Sequence, residues 1–215
     1  MAEPDALPEP KKFGDAITAD HKVLNDDDKT RDGDKLALVI QDSFTHWLQS
    51  FPCKTKDAKE CARCFKRFWG PNFKPEYVYT DNSGEFIKSL EELDILHDTS
   101  TPHKSQTNAV AERAVGRTKE GTSVTLVQSG LHDVWWGEAM MCYCFLRNVV
   151  DILKGGQTAF EKRWGQKFTG PIIPFGAQIA YKPSSKKDQQ RIHEFGPKWL
   201  EEIFMGYVHI INYYI

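Results

Sequence analysis

Two rhythms of apolar and polar positions run along this chain. Short apolar or β-branched runs predict strands: Ile17, Ala19, Val23 and Leu24 mark a first, Leu36-Ala37-Leu38-Val39-Ile40 a second, and Tyr77-Val78-Tyr79-Thr80 a further one. The unbroken second run has the character of a central strand buried on both faces. Helical spacing appears in longer stretches. DAKECARCFKRFW reads as one helix, and the segment from about Thr107 to Val127 as another, with Val110, Ala111, Ala114, Val115, Thr118 and Val124 at mixed helical intervals. Trp135-Trp136, Met140, Met141, Tyr143, Phe145 and Leu146 make a third helix, apolar nearly all round, which suits a core or a dimer interface better than base stacking.

After Leu153 the pattern changes. Gly155-Gly156 is expected to end the third helix, and Gly170-Pro171, Pro174, Pro183 and Gly196-Pro197 punctuate short strand-like pieces. This predicts a disordered segment over 1–12, a main domain over 13–154 and a small β-rich appendage over 155–215. A length of 215 residues, 40% of them hydrophobic and 12% aromatic, allows one sizeable core with such an appendage. The stretch from Asn25-Asp26-Asp27-Asp28-Lys29 to Asp34 reads as a polar insertion between the first two strands, a solvated loop and not a metal site. No apolar run approaches membrane-spanning length and no apolar signal core opens the chain, so an intracellular protein without a membrane partner is expected. Cys61 and Cys64 form a CxxC inside a predicted helix with no second pair at metal spacing after it, so no zinc framework is expected. Cys142 and Cys144 read as small core residues, and an odd total of 5 without a signal peptide predicts reduced thiols.

Candidate chemistry rests on three acids. Asp81 opens the turn sequence Asp81-Asn82-Ser83-Gly84 directly after a strand, where a carboxylate is held firmly enough to serve a hard cation such as Mg²⁺ or Mn²⁺. Glu112 lies on the second helix and shares a face with Asn108 and Lys119, at offsets of four and seven residues. Asp20 lies within the first strand. Asp15 and Asp42 compete for its role; Asp20 is placed ahead of them because Asp42 reads as the exit from the second strand into a turn at Ser43.

The order of an Asp, TDNSGEF and TPHKSQTNAVAER resembles the catalytic core of retroviral-type integrases. LALVIQDSFTHWLQSFPCKTKDAKEC is similar to that family's second and third strands and first helix, and DVWWGEAMMCYCFLRNVVD to the helix after the catalytic one. TAFEKRWGQKF, PFGAQIAYKP and GPKWLEEIFMGY resemble, in order, the blocks that follow the core in copia-type LTR-retrotransposon polyproteins. The likeness runs over about residues 13–208. Three features depart from the family's pattern: a gap between Asp81 and Glu112 shortened around 89–98, Ala109 in place of the usual glycine, and the polar insertion.

The resemblance implies an α/β, RNase H-like fold with a mixed five-stranded sheet flanked by helices. It further implies two divalent ions, Mg²⁺ or Mn²⁺, held by Asp20, Asp81 and Glu112 as catalytic and metal-binding residues, for 3′-end processing and strand transfer of DNA. A homo-oligomer, located in the nucleus or a retrotransposon particle, is implied as well. Members carry a His- and Cys-bearing zinc module before the core, for which this chain has no room, so a core fragment or a degenerate reading frame is expected. A formal net charge of −2 gives no overall basic footprint. DNA contact is therefore assigned to a local set, His103, Lys104, Gln106, Asn108, Arg113, Arg117 and Lys119, with Lys182, Lys186, Lys187 and Arg191 as a second basic region that reads equally well as a solvated loop. Two other functions stay open: a catalytically inactive DNA-binding or multimerising remnant, and an RNase H-type nuclease on the same fold.

Overall fold

The structure is a computed structural model that describes residues 9–99 and 105–207, with side chains left undescribed over 105–108. Its centre is a five-stranded mixed sheet of β1 (Ile17–Val23), β2 (Leu36–Asp42), β3 (Leu48–Cys53), β4 (Val78–Thr80) and β5 (His97–Thr99), in the order β3-β2-β1-β4-β5. The first three strands form an antiparallel meander, and β4 and β5 join it in parallel. Every residue of β2 is buried, as its apolar run predicts for an interior strand, although β1 takes the middle place.

Helices cover both faces, and the two-residue period of the strands sorts side chains between them. Ile17, Ala19, Leu36, Leu38 and Ile40 point into one core with α1 (Ala58–Trp69) and α2 (Gly84–Glu92), built on Cys61, Phe65, Phe68, Phe86 and Leu90. Ala37 and Val39 point the other way, toward α3 (Ser105–Ser129) and α4 (Trp136–Val150), meeting Ala114, Trp136, Met140 and Cys144. Asp57 caps α1 by accepting the Glu60 N–H at 2.8 Å. The buried stripe of α3 is made of small residues, Ala111, Ala114, Thr118 and Thr122, with each threonine hydroxyl donating to the carbonyl four residues back. Val124, expected on the apolar side, faces solvent. Gly121 lets α4 come close, since a Cβ there would run into the Tyr143 ring.

Two polar groups close the edges of this core. Asn148 of α4 is fully buried; its amide donates to the Leu48 carbonyl at 2.7 Å and accepts the Leu48 N–H at 3.0 Å, occupying the outer hydrogen-bonding side of edge strand β3. The guanidinium of Arg163, on α5 (Ala159–Trp164), lies over the rings of Phe13, Trp47 and Trp164 and donates to the Phe68 carbonyl at 3.0 Å.

The third helix ends earlier than its glycines suggest. Asp151 turns extended after Val150, and Gly155 and Gly156, at φ +106° and +79°, instead form the turn behind an Ile152–Thr158 bridge. A Thr158–Glu161 capping box then starts α5. Further on come a two-stranded antiparallel sheet, β6 (Gln178–Tyr181) with β7 (Leu200–Ile203), and the short α6 (Lys186–Gln189) between them. Among the described residues no helix is long and apolar enough to cross a membrane.

Candidate active site

The sheet register brings the first two acids together. In the parallel β1–β4 pair Ile17 faces Val78 and Thr18 faces Tyr79. Extending that offset puts Asp81, the first residue beyond β4, level with Asp20. Asp20 is the cross-strand partner of Val39, whose side chain packs against Ala114 of α3, so Asp20 stands on the α3 side of the sheet. Glu112 is two residues before Ala114, exposed beside the buried stripe of α3, which crosses β1, β2 and β4.

Asp20 lies in the fields of both other acids. Burial raises the Asp20 carboxyl above the usual carboxylate range, the charges of Asp81 and Glu112 push the same way, and the His21 N–H donated to Oδ1 at 2.7 Å opposes them. Asp81 is fixed by its own turn: Oδ1 accepts the Ser83 N–H at 3.2 Å, the Asx-turn bond that the order Asp-Asn-Ser invites. Thr80 anchors the turn from behind, donating to the Asp81 carbonyl at 2.8 Å, with the Nε2 atom of His97 also 2.8 Å from its hydroxyl. On the opposite face His21 stacks on Phe86 with ring centroids 4.6 Å apart, and burial followed by the charge of Lys56 lowers its imidazole to about 4. It therefore stays neutral behind Asp20.

The two competing acids have structural partners. Asp42 is fully buried and accepts the Gly14 N–H at 2.9 Å, the Thr45 N–H at 2.7 Å and the Thr45 hydroxyl at 2.5 Å, which holds the β2–β3 turn closed. Asp15 accepts the N–H groups of Lys11 and Lys12.

The expected DNA contacts separate. Arg113 and Lys119 are exposed on α3, and Lys119 lines a cavity of about 340 Å³ with Lys22, Leu126, His132 and Trp136. Arg117 is half-buried; burial and then the like charge of Arg147 lower its pKa. His103 and Lys104 lie outside the described residues, as do the side chains of Gln106 and Asn108. In the second basic region Arg191 pairs with Glu202 at 2.8 Å. Sequence reasoning missed His97 and His21, neither of which stands in a recognisable motif.

This sheet order with its flanking helices is the RNase H-like fold of integrase catalytic cores. The chain superposes on the catalytic core domain of BIV integrase with a TM-score of 0.52 at 18% identity, over 69% of this chain and 92% of that one. It superposes on the HTLV-2 integrase catalytic core domain, solved in complex with magnesium in a trimeric form, with a TM-score of 0.54 at 18% identity, over 71% and 97%. In sequence its homologues are retrotransposon Pol polyproteins of the copia type. The Arabidopsis thaliana retrovirus-related Pol polyprotein from transposon RE2 is 28% identical over 136 residues, 60% of this chain, and that from transposon RE1 is 27% identical over 189 residues, 83% of it. The chain spans 9% and 12% of the length of these two relatives. No protein-family model matches it.

Proposed function

We propose that this chain is the catalytic core of a metal-dependent DNA integrase, carrying out 3′-end processing and strand transfer of mobile-element DNA. The observation that carries the reading is Asp20, half-buried on a central strand within the fields of both Asp81 and Glu112. A carboxylate whose ionisation burial and two neighbouring acids disfavour suits Mg²⁺ or Mn²⁺, which take oxygen ligands and offset the repulsion. When bound, such ions supply activation of a water or 3′-hydroxyl and stabilisation of the leaving oxygen in an in-line displacement. The chain's own residues supply position. The N–H groups of His21 and Ser83 each engage one oxygen of Asp20 and Asp81, which fixes one carboxylate on the central strand and the other in the turn after β4. The Glu112 carboxylate comes from α3, whose Ala–Thr stripe lets the helix lie close to β1 and β2.

Arg113 and Lys119, exposed on the same helix, are suited to phosphate contact, while Arg117 is half-buried. Self-association on paired DNA ends belongs to the same proposal. It is tested by end cleavage and strand transfer on a labelled duplex with Mg²⁺ or Mn²⁺. Asp81→Asn and Glu112→Gln are each expected to lower the rate by more than about 100-fold, the scale of losing a charge that stabilises a transition state, with the fold retained by circular dichroism. Folded wild type that binds DNA but never cuts it points to the inactive remnant. Cleavage confined to RNA–DNA hybrid points to the RNase H-type nuclease.

A further inference from the structure

Away from the carboxylates, the structure gathers a second group of ligand-type side chains that the CxxC spacing did not announce. Cys53 is the last residue of β3, and its Sγ lies 3.6 Å from the Sγ of Cys64 on α1. Glu60 precedes Cys64 by four residues, one turn away on the same helical face. The two sulfurs and a Glu60 carboxylate oxygen all lie within 4.8 Å of one another. Both thiols are almost fully buried, at 2% and 1% exposure, while Glu60 is half-buried and reaches them from the rim.

We propose that Cys53, Cys64 and Glu60 bind a thiophilic divalent cation of the zinc class, bracing α1 against the end of β3. Two thiolates bonded at ~2.3 Å to a tetrahedral ion stand about 3.8 Å apart, and the observed sulfur separation is within a few tenths of an ångström of that. Packing alone accounts for two thiols in contact; it does not call for a carboxylate beside them. Charge also balances. Two thiolates and one carboxylate carry three negative charges, against two positive charges on the ion and one on Arg63, whose guanidinium is paired with Glu60. Binding releases the two thiol protons to solvent and leaves a fourth position for water. Cys61, one turn before Cys64, turns instead toward His21, with Sγ 3.7 Å from Nε2, and is left out of the ligand set.

Cobalt(II) is the probe, added to the full chain after chelator treatment under reducing conditions. A thiolate-bound cobalt ion gives near-ultraviolet sulfur-to-metal charge transfer and four-coordinate visible bands. The carboxylates of Asp20, Asp81 and Glu112 offer only oxygen and give no such charge transfer, so this result is independent of the integrase reading. One equivalent is expected to saturate the signal and zinc to displace it. Cys64→Ala is expected to abolish it. Glu60→Gln, a near-isosteric change in the first turn of a helix, is expected to keep the fold and to weaken cobalt affinity by more than about tenfold, as disturbing even an outer-shell partner does. Folded wild type without charge transfer overturns the proposal, as does a signal unchanged in both variants. So does ready oxidation of Cys53 and Cys64 to a disulfide that added zinc does not slow, which would make the pair a redox couple.

Discussion

Asp20, Asp42 and Asp81 share one chemistry, and what their oxygens face sets them apart. Asp42 meets three donors, the N–H groups of Gly14 and Thr45 and the Thr45 hydroxyl, in a fully buried site. Asp20 meets one backbone N–H and the fields of two carboxylates. The first arrangement stabilises the fold and the second opposes it, as expected where a site is built for a ligand and not for stability. Asp42→Asn turns an amide donor toward groups that need an acceptor, and is expected to lower stability by about 3 kcal/mol, read as a lower urea midpoint. Asp20→Asn removes a charge that burial and its neighbours disfavour, so in metal-free buffer its midpoint is expected at or above wild type. An unchanged midpoint for Asp42→Asn, or an equal drop for Asp20→Asn, would reverse the two roles. Reading Asp42 as a strand exit therefore placed it correctly along the chain, but only the fold shows the donors that occupy it.

At the scale of elements, legibility follows how much of an element's form is local. The apolar run of β2 and the Asx turn after β4 are written in consecutive residues, and both were readable. Strand β5 is not. His97-Asp98-Thr99 has no strand-like run; it forms three ladder pairs with β4 at the sheet edge, and His97 ties it there through the Thr80 hydroxyl. Thr80 gives its proton to the Asp81 carbonyl, so Nε2 of His97 is the donor between the two. Burial lowers the His97 pKa, while Asp98, Asp81 and Glu91 pull it the other way without prevailing. Its folded pKa is thus below the unfolded value of about 6.5, and the unfolded chain binds more protons between the two. The stability held by neutral His97 is complete above the unfolded pKa and is lost as pH falls from there through the lower folded pKa. His97→Gln keeps a donor for Thr80 and cannot titrate. The stability gap between wild type and His97→Gln, from urea unfolding, is therefore expected to shrink between pH 7.5 and 5.5; a constant gap would mean that His97 does not sense pH. The buried face of α3 was hard to read for a related reason: close approach to the sheet selects alanine and threonine, and these carry no hydrophobic period.

The whole molecule depends on segments that composition alone would set apart. Glycine and proline punctuation after Leu153 suggests an appendage, but packing crosses that point repeatedly. Ala159 and Phe160 are buried in the same core as Trp47 and Phe65, and Phe168 lies against Phe145 and Phe160. Farther on, Phe175 is buried against Ala139 and Cys142 of α4, while Tyr207 stacks on Phe145 at 4.1 Å and its hydroxyl accepts the Ile173 N–H at 2.6 Å. These residues cover the outer side of α4, whose inner side supports α3 and with it Glu112. Losing a buried phenylalanine costs about 3–5 kcal/mol, so Phe160 and Phe175 together approach the 5–15 kcal/mol that holds a whole domain. A chain ended after Lys154 is accordingly expected to lose its cooperative urea transition and to bind a hydrophobic dye, with Trp47 and Phe145 uncovered. If that shorter chain instead unfolds cooperatively within about 1 kcal/mol of the full one, the contacts across Leu153 are adhesive only, and residues 13–154 fold as the independent domain that the sequence pattern outlines.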